Sequence, residues 1–307
     1  MSTNKNKGLQ LLFAAVPLLL SFLISIVSFF AAVFIRGIVS HTDITTDNAA
    51  NDGLVYLINY LMFVVIFGFL YNYICQTRPE PEIPETKKTT GKKSDNGKTA
   101  DKKSDNGKTT GKKSDSGKTK SAPVWSPVRY WAKRLPLLLV LGYCIQLLGS
   151  AIIAILSIGF PAFFSSYKEM IQSLSGTGID WMTFVSISFI APIGEELLFR
   201  GVTLHYAKKA LPVRGAIIFQ AVLFGIYHLN IVQLVYATLI GLLLGALAER
   251  AGSIVPGIVL HAIINLCSYL VPSVFLDNVP KAAFSAALGL LFTIPCLILL
   301  FRRKKKI

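Results

Sequence analysis

The sequence is poor in charge for its length. Only 15% of its 307 residues are Asp, Glu, Lys or Arg, whereas a soluble domain of this size carries about a quarter. Apolar residues make up 53% of the chain and are gathered into long runs. This composition argues against a soluble globular domain, and the length of the runs predicts an integral membrane protein.

Cysteine and the common metal-binding patterns are also scarce. The four cysteines are Cys75, Cys144, Cys267 and Cys296, and no two of them form a CxxC pair. Each lies within or at the end of an apolar run, which predicts small buried side chains and argues against a disulfide framework or a zinc–thiolate site. The HExxH pattern of helical zinc proteases is absent as well.

Eight apolar runs are long enough, or nearly so, to cross the hydrocarbon core of a membrane as helices. They cover residues 9–35, 54–75, 136–160, 183–205, 215–229, 231–248, 254–272 and 282–301. The fifth and sixth runs are short and adjacent, so one bent hairpin is an alternative for them. We therefore predict an all-α, polytopic membrane helix bundle with about eight transmembrane helices.

Positive charge is concentrated outside these runs. Residues 78–134 carry 16 Lys and Arg against 7 acidic residues, and five basic residues follow at 302–306. Basic segments beside apolar spans follow the positive-inside rule, so both termini and the 79–135 segment are predicted to be cytoplasmic. The expected partner of this charge is anionic lipid, and no nucleic-acid partner is predicted.

A repeat with a period of 10 residues occupies the middle of the basic segment. KKSDNGKT and its variant KKSDSGKT stand at 92–99, 102–109 and 112–119. Ala100 is the only apolar side chain from 86 to 120, so this stretch cannot form a core and is predicted to be disordered. The predicted divisions are a two-helix membrane hairpin at 1–78, a linker at 79–135 and a six-helix membrane domain at 136–307.

Ionisable side chains well inside the apolar runs are confined to three of the eight runs. The fourth run holds Glu195, Glu196 and Arg200, while the fifth and seventh hold His228 and His261. A charge near the middle of a membrane helix costs about 2.5–3.5 kcal/mol or more. Three such residues within one stretch of helix therefore indicate a functional site.

The spacing within the fourth run predicts different surroundings for its two glutamates. Glu196 and Arg200 are i,i+4, so they are expected to pair on one helix face. Glu195 is rotated by about 100° from Glu196 and cannot share that face. It is therefore expected to remain free to meet another helix.

Two more pairs have the same i,i+4 spacing. They are Phe224 with His228 in the fifth run and His261 with Asn265 in the seventh. A single buried histidine is more often an ordinary core residue, and asparagine often joins membrane helices. The whole set, however, predicts that three helices bring Glu195 into one buried pocket with the two histidines and the asparagine.

These residues match three short motifs. In chain order they are EExxxR at 195–200, FxxxH at 224–228 and HxxxN at 261–265. On hydrophobic helices in this order they resemble the CAAX prenyl protease and bacteriocin-processing family of intramembrane endopeptidases, also called the Abi family. The resemblance covers about residues 180–270, the motif-bearing core of the predicted membrane domain.

The resemblance implies an endopeptidase that hydrolyses a peptide bond in a membrane-embedded or membrane-tethered protein or peptide. By motif position, Glu195 would be the base that activates water, and His228 would assist it. His261 and Asn265 would bind the oxyanion, because an imidazole and an amide can donate hydrogen bonds to developing negative charge. Family members act on CAAX proteins or are linked to bacteriocin processing and self-immunity, and both substrate classes stay open from the sequence.

The resemblance also implies supporting roles for Glu196, Arg200 and Phe224. No cofactor is expected with this mechanism. The alternative is a zinc ion held by Glu195 and both motif histidines, with an open position for water. Two other functions fit the same residues: a non-catalytic membrane protein that binds a peptide or confers immunity to it, and a transporter that uses Glu195 in a proton relay.

Overall fold

The described residues of the computed structural model are 2–40, 53–76, 131–175, 181–271 and 276–302. All regular secondary structure in these ranges is helical, which confirms the predicted all-α fold. The predicted linker and its repeats lie outside the described residues, apart from the last five positions of the linker.

Nine helices make up the described part of the chain. Their bounds are α1 Ser2–Ser40, α2 Gly53–Gln76, α3 Leu135–Gly159, α4 Pro161–Ser175, α5 Trp181–Ala210, α6 Val213–Tyr227, α7 Ile231–Ala251, α8 Val255–Cys267 and α9 Val279–Phe301. Helices α1, α2, α3, α5, α7 and α9 are long and apolar enough to cross a membrane, whereas α6 and α8 are shorter apolar helices. The chain is therefore a multi-pass membrane protein.

Each predicted apolar run corresponds to a helix, and the ambiguous pair forms two helices. Helix α6 ends at Tyr227 and α7 begins at Ile231, so a tight turn separates them. Within this turn Leu229 has a φ of 54°, a left-handed conformation that is rare for a leucine. Asn230 caps α7 through its side-chain oxygen, which accepts from the backbone N–H groups of Val232 and Gln233.

Helix α4 is absent from the predicted spans. It mixes serine, tyrosine, lysine and glutamate with apolar residues, so it is too polar to cross the hydrocarbon. Phe164 on this helix is buried, whereas Lys168 and Glu169 are exposed. A helix with one buried apolar face and one charged face suits the membrane surface.

Helix α5, which carries the two motif glutamates, departs from ideal geometry twice. Its α-helical segment Ala191–Glu196 lies between two π-helical stretches, Ser186–Ile190 and Leu197–Thr203. Pro192 has no N–H to donate to the preceding turn, which weakens the regular α-helical ladder there. Turns of π-helix inside an α-helix frequently occur at functional sites, and α5 is also the most buried of the six long helices.

The N-terminal helices pack directly against the motif-bearing helices. One hydrophobic cluster contains Leu18 of α1, Phe63 of α2, Phe199 of α5 and Phe224 of α6. The approach of α2 to α5 is close, because a Cβ added at Gly194 would lie 2.8 Å from the Cβ of Phe63. The predicted hairpin thus shares its core with the helices that carry the motifs.

Helices α3, α7, α8 and α9 form a second core, which contains Cys267 and Cys296. All four cysteines are free thiols, and Cys144 is also buried. Cys75 is exposed, which corrects the expectation of burial. Only Gln76 follows Cys75 in α2, so this cysteine lies at the helix end, where less of the bundle covers it.

Candidate active site

The motif residues of α5 and α8 meet in the interior of the bundle. Glu195, Glu196, Arg200 and His261 are each at most 5% exposed. The α-helical segment of α5 supplies both glutamates, the following π-helical stretch supplies Arg200, and α8 supplies His261. Two carboxylates, a guanidinium and an imidazole are therefore buried in mutual contact, an arrangement that is costly in an apolar bundle unless the groups pair.

Glu196 lies at the centre of this cluster. Its Oε1 accepts a hydrogen bond from Arg200 Nη1 at 2.8 Å and lies 3.1 Å from His261 Nδ1. Within the described part of the chain its Oε2 has no hydrogen-bond partner, and a Cβ added at Gly257 would lie 2.7 Å from it. The predicted pairing of Glu196 with Arg200 is present. Glu196 also contacts His261, which the spacing along the helix did not predict.

Arg200 is held by groups from two further helices. Its Nη2 donates to the Gly241 carbonyl oxygen of α7 at 3.3 Å, and its guanidinium lies 4.5 Å from the centre of the Phe224 ring. Gln220, one turn before Phe224 on α6, donates to the same Gly241 oxygen at 2.9 Å. Sequence reasoning missed Gln220, although its i,i+4 spacing from Phe224 was a signal that could have found it.

Gly241 and Gly245 form a GxxxG pattern on α7 that allows this convergence. A Cβ added at Gly241 would lie 3.0 Å from the Cα of Ala221 on α6. Small residues at such positions let two helix backbones approach closely. The close packing of α6 on α7 brings Gln220 and Arg200 to one carbonyl oxygen.

Glu195 faces a different set of groups from Glu196. Its Oε2 lies 3.6 Å from His261 Nε2, which is longer than a direct hydrogen bond. A contact of this length leaves both atoms able to bond a shared water molecule.

His228 lies at the edge of the cluster, at the C-terminal cap of α6. Its Nδ1 is 2.8 Å from the Phe224 carbonyl oxygen. Because Nδ1 donates to that oxygen, a neutral ring leaves Nε2 as an acceptor. The Phe224 ring meets His228 and His261 nearly edge-on, with ring centres 5.0 and 5.7 Å apart, so it lies between the two histidines.

Asn265 lies one turn beyond His261 on α8 and is half-buried. Its Nδ2 donates to the Ile187 carbonyl oxygen in the first π-helical stretch of α5, at 2.9 Å. Irregular helical turns leave carbonyl oxygens without their usual partners, and a side-chain donor can replace those partners. Asn265 therefore ties α8 to α5, and the amide keeps a second N–H.

Two of the three ligands of the alternative zinc site, Glu195 and His261, lie close together. Zinc binds histidine nitrogens and carboxylate oxygens at about 2.0–2.2 Å, so its ligand atoms must lie about 3–4 Å apart. Glu195 Oε2 and His261 Nε2, which are 3.6 Å apart, meet this condition, and the Phe224 ring contacts both His261 and His228. In the described ranges, no three His, Cys, Asp or Glu side chains are arranged to hold a metal ion.

Residues 177–267 match the family described as type II CAAX prenyl endopeptidase Rce1-like. The match contains all three motifs and confirms the resemblance to the CAAX prenyl protease family. It spans less than a third of the chain, and α1 to α4 and α9 lie outside it. No curated protein and no solved structure matches the chain. The family indicates a protease of the intramembrane CAAX endopeptidase type.

Proposed function

We propose that this protein hydrolyses a peptide bond in a membrane-embedded or membrane-tethered protein or peptide, with Glu195 as the general base. The supporting observation is the buried pair of Glu195 and His261, whose facing atoms are 3.6 Å apart beside the Glu196–Arg200 ion pair. A water molecule bound by both would touch a proton acceptor and a hydrogen-bond donor. Intramembrane ionisable groups of this kind are costly and mark functional sites.

The charges of the cluster balance when His261 carries a proton. Glu196 and Arg200 neutralise each other, which leaves one carboxylate and one imidazolium. An imidazolium donates from both ring nitrogens. Its Nδ1–H then donates to Glu196, and its Nε2–H is directed towards Glu195 and the reacting groups. In a region of low dielectric, such a donor stabilises developing negative charge strongly.

The reaction begins when Glu195 takes a proton from the bound water and the water oxygen attacks the peptide carbonyl carbon. The negative charge that forms on the carbonyl oxygen is held by His261 Nε2–H, with the remaining N–H of Asn265 as a second donor. The C–N bond then breaks, and Glu195 returns its proton to the leaving nitrogen. His228 assists by accepting a hydrogen bond from the water at Nε2.

Glu196, Arg200 and Phe224 act indirectly in this scheme. Glu196 orients the His261 ring through Nδ1, and Arg200 cancels the charge of Glu196. Phe224 lies against the Arg200 guanidinium and both histidine rings, so its packing holds these groups in place. No metal ion takes part in the proposed steps.

The position of the site and the family match both support a proposal for the substrate class. The buried site sits between apolar helices, which favours a peptide already held at the membrane. The family match supports a CAAX-type substrate, and processing of a bacteriocin for self-immunity is the second class to test. Anionic lipid is the expected partner of the basic segments.

The test uses the purified full-length protein in nanodiscs and a panel of membrane-tethered peptides, with and without a prenylated C-terminal cysteine. The reaction is run in ¹⁸O-labelled water, and mass spectrometry reads the products. We expect one ¹⁸O atom in the new carboxyl group, loss of product with Glu195→Gln, and normal product with Glu169→Gln, an exposed glutamate on α4.

Three other outcomes would count against the proposal. Peptide binding without any cleavage by the wild type would indicate a non-catalytic binder. Inactivation by a chelator, reversed by added zinc, would favour the metal-dependent alternative. Proton uptake into sealed vesicles that depends on Glu195, without cleavage, would indicate a transporter.

A further inference from the structure

A cavity of about 270 Å³ lies between α1, α2 and the turn that joins α6 to α7. Its walls include Phe22 and Ser25 of α1, Val55 and Asn59 of α2, Tyr227 of α6 and Leu229 of the turn. The cavity is slightly smaller than the pockets of about 300–1,000 Å³ that hold whole small molecules. Its size therefore suits one or two amino-acid side chains.

The lining of this cavity is mostly apolar and aromatic, and none of the lining residues carries a charge. Asn59 is only 9% exposed, and its Oδ1 has no hydrogen-bond partner within the described residues. A buried amide oxygen without a partner costs free energy. A peptide group can pair with the Asn59 amide because it both donates and accepts, whereas a lipid chain offers neither kind of group. The chemistry of the lining therefore favours an uncharged side chain together with its backbone amide.

The cavity adjoins the catalytic cluster at His228. Tyr227 and Leu229, the chain neighbours of His228, both line the cavity, and the ring centres of Tyr227 and His228 are 5.4 Å apart. His228 is half-buried, whereas Glu195 and His261 are at most 5% exposed. A substrate can therefore approach the cluster at the His228 edge, where the cavity lies.

The wall formed by α2 connects the cavity with the turn of α5 that carries Glu195. Tyr60 also lines the cavity, and its ring contacts Phe63 edge-on, with ring centres 5.8 Å apart. Phe63 packs on Gly194, where an added Cβ would lie 2.8 Å from the Cβ of Phe63. A short stretch of aromatic packing thus lies between the cavity and the helix of the proposed base.

We propose that this cavity is a substrate subsite, which selects an uncharged apolar residue of the peptide near the cleaved bond and pairs its backbone amide with Asn59. The inference rests on the proposed function, because it assigns a specificity element to the same site. An extended chain advances about 3.3–3.6 Å per residue, so a side chain that reaches past the 5.4 Å between the Tyr227 and His228 rings belongs to a residue about two or three positions from the cleaved bond.

Most of the subsite comes from helices outside the family match. Residues 177–267 contribute Tyr227 and Leu229, whereas the other lining residues belong to α1 and α2. The selectivity of the subsite is therefore supplied mainly by the two N-terminal helices of this chain.

The experiment makes the same substitution in the cavity and on the outer side of the same helix. Val55→Phe places a larger side chain in the cavity, whereas the control Val65→Phe changes a residue of α2 that is 69% exposed. Asn59→Leu removes the amide and keeps a similar side-chain size. Each full-length protein, in nanodiscs, is assayed on cleaved peptides that carry Ala, Leu, Phe or Lys at each position around the cleaved bond.

We expect the wild type to prefer Leu or Phe over Lys at one of these positions. Val55→Phe should lower kcat/KM by about 10-fold or more for the peptide with Phe there and by no more than about two-fold for the peptide with Ala, because an apolar pocket discriminates by size. Asn59→Leu should raise KM by about 10-fold and change kcat little, as the loss of uniform binding does. Val65→Phe should behave like the wild type.

An unchanged side-chain preference in Val55→Phe, or the same change in Val65→Phe, would overturn the inference. An equal rise in KM for all peptides in Val55→Phe would also overturn it, and would indicate that a lipid occupies the cavity. If Val55→Phe does not fold, Asn59→Leu decides the matter, and a normal KM there contradicts the subsite.

The Kd of the same peptides on Glu195→Gln protein separates this inference from the proposed function, because it reports the cavity without turnover. A preference for Leu or Phe in Kd that Val55→Phe abolishes, without any Glu195-dependent cleavage by the wild type, would keep the peptide-binding cavity and contradict only the proposed reaction. Glu195-dependent cleavage with no effect of the cavity variants on Kd or KM would contradict only the subsite.

Discussion

Adjacent glutamates should respond in opposite ways to the loss of their charge. In Glu196→Gln the Arg200 guanidinium stays buried without an anion. Breaking a buried ion pair by removing one partner costs about 3–5 kcal/mol. The remaining contacts of Arg200, to the Gly241 carbonyl oxygen and the Phe224 ring, recover about 1 kcal/mol of this.

The expected net destabilisation by Glu196→Gln is therefore about 2–4 kcal/mol, which lowers the melting temperature of a chain of this size by roughly 5–15 °C. Glu195→Gln has a different result, because it removes a buried charge and leaves both the Glu196–Arg200 pair and the Glu196–His261 contact in place. Relief of that desolvation cost leaves the melting temperature unchanged or slightly higher. Turnover is lost in Glu195→Gln. In Glu196→Gln turnover falls only because the protein is less stable and the His261 ring is less well oriented.

The assay is thermal unfolding of both variants and the Glu169→Gln control in one detergent, followed by turnover at a temperature where all are folded. Equal melting temperatures for the two variants would refute the reasoning. A large drop in Glu195→Gln would do so as well, because it would mean that the charge of Glu195 is needed to stabilise the fold.

Four further predictions test other parts of the structure. Gly257→Ala should place a methyl group against Glu196 Oε2, lower the melting temperature and slow turnover. A variant with the melting temperature and turnover of the wild type would contradict the tight contact. Asn265→Ala should lower kcat by about 100-fold if its free N–H binds the oxyanion, and it should cost only about 1 kcal/mol of stability. Deletion of residues 86–121 should leave membrane insertion and proteolysis intact, and loss of activity at normal expression would assign that tract a specific role. Cysteine labelling should reach both termini and the linker from one side of the membrane and Asp47 from the other, and labelling of the linker from the Asp47 side would overturn the topology.

The architecture was predictable because apolar runs determine membrane helices almost directly. With no water to satisfy the backbone, each run must become a helix, and all eight runs did. Helix α4 was not predicted, because its polar residues interrupt the apolar sequence and no run long enough for a membrane span remains. Helix α6 ends at Tyr227 because the chain turns at Leu229, which has a positive φ. Leucine rarely adopts this conformation, so nothing in the sequence indicated the turn.

The composition of the cluster was predictable, but its internal contacts were only partly so. Spacing on an ideal helix correctly paired Glu196 with Arg200. Spacing could not predict the contact between Glu196 and His261, because that contact joins two helices, α5 and α8. Nothing in the motif spacing indicates a π-helical stretch.

The contribution of α2 could not be found from the sequence. Phe63 lies in an apolar run that contains several aromatic residues and no charge, so the sequence alone gives it no special role. In the structure it packs against Gly194, the residue before Glu195, and so brings α2 beside the proposed base. The contact is tertiary, and it joins residues far apart in the chain.

The central claim is that Glu195 is the base of a hydrolytic reaction. The most direct measurement is kcat/KM of wild type and Glu195→Gln on one cleaved membrane-tethered peptide, with both proteins shown to be folded and with chelator present throughout. The account predicts undiminished wild-type cleavage and a loss of at least about 100-fold in the variant, as expected for removal of a general base. Cleavage by Glu195→Gln at the wild-type rate would contradict it.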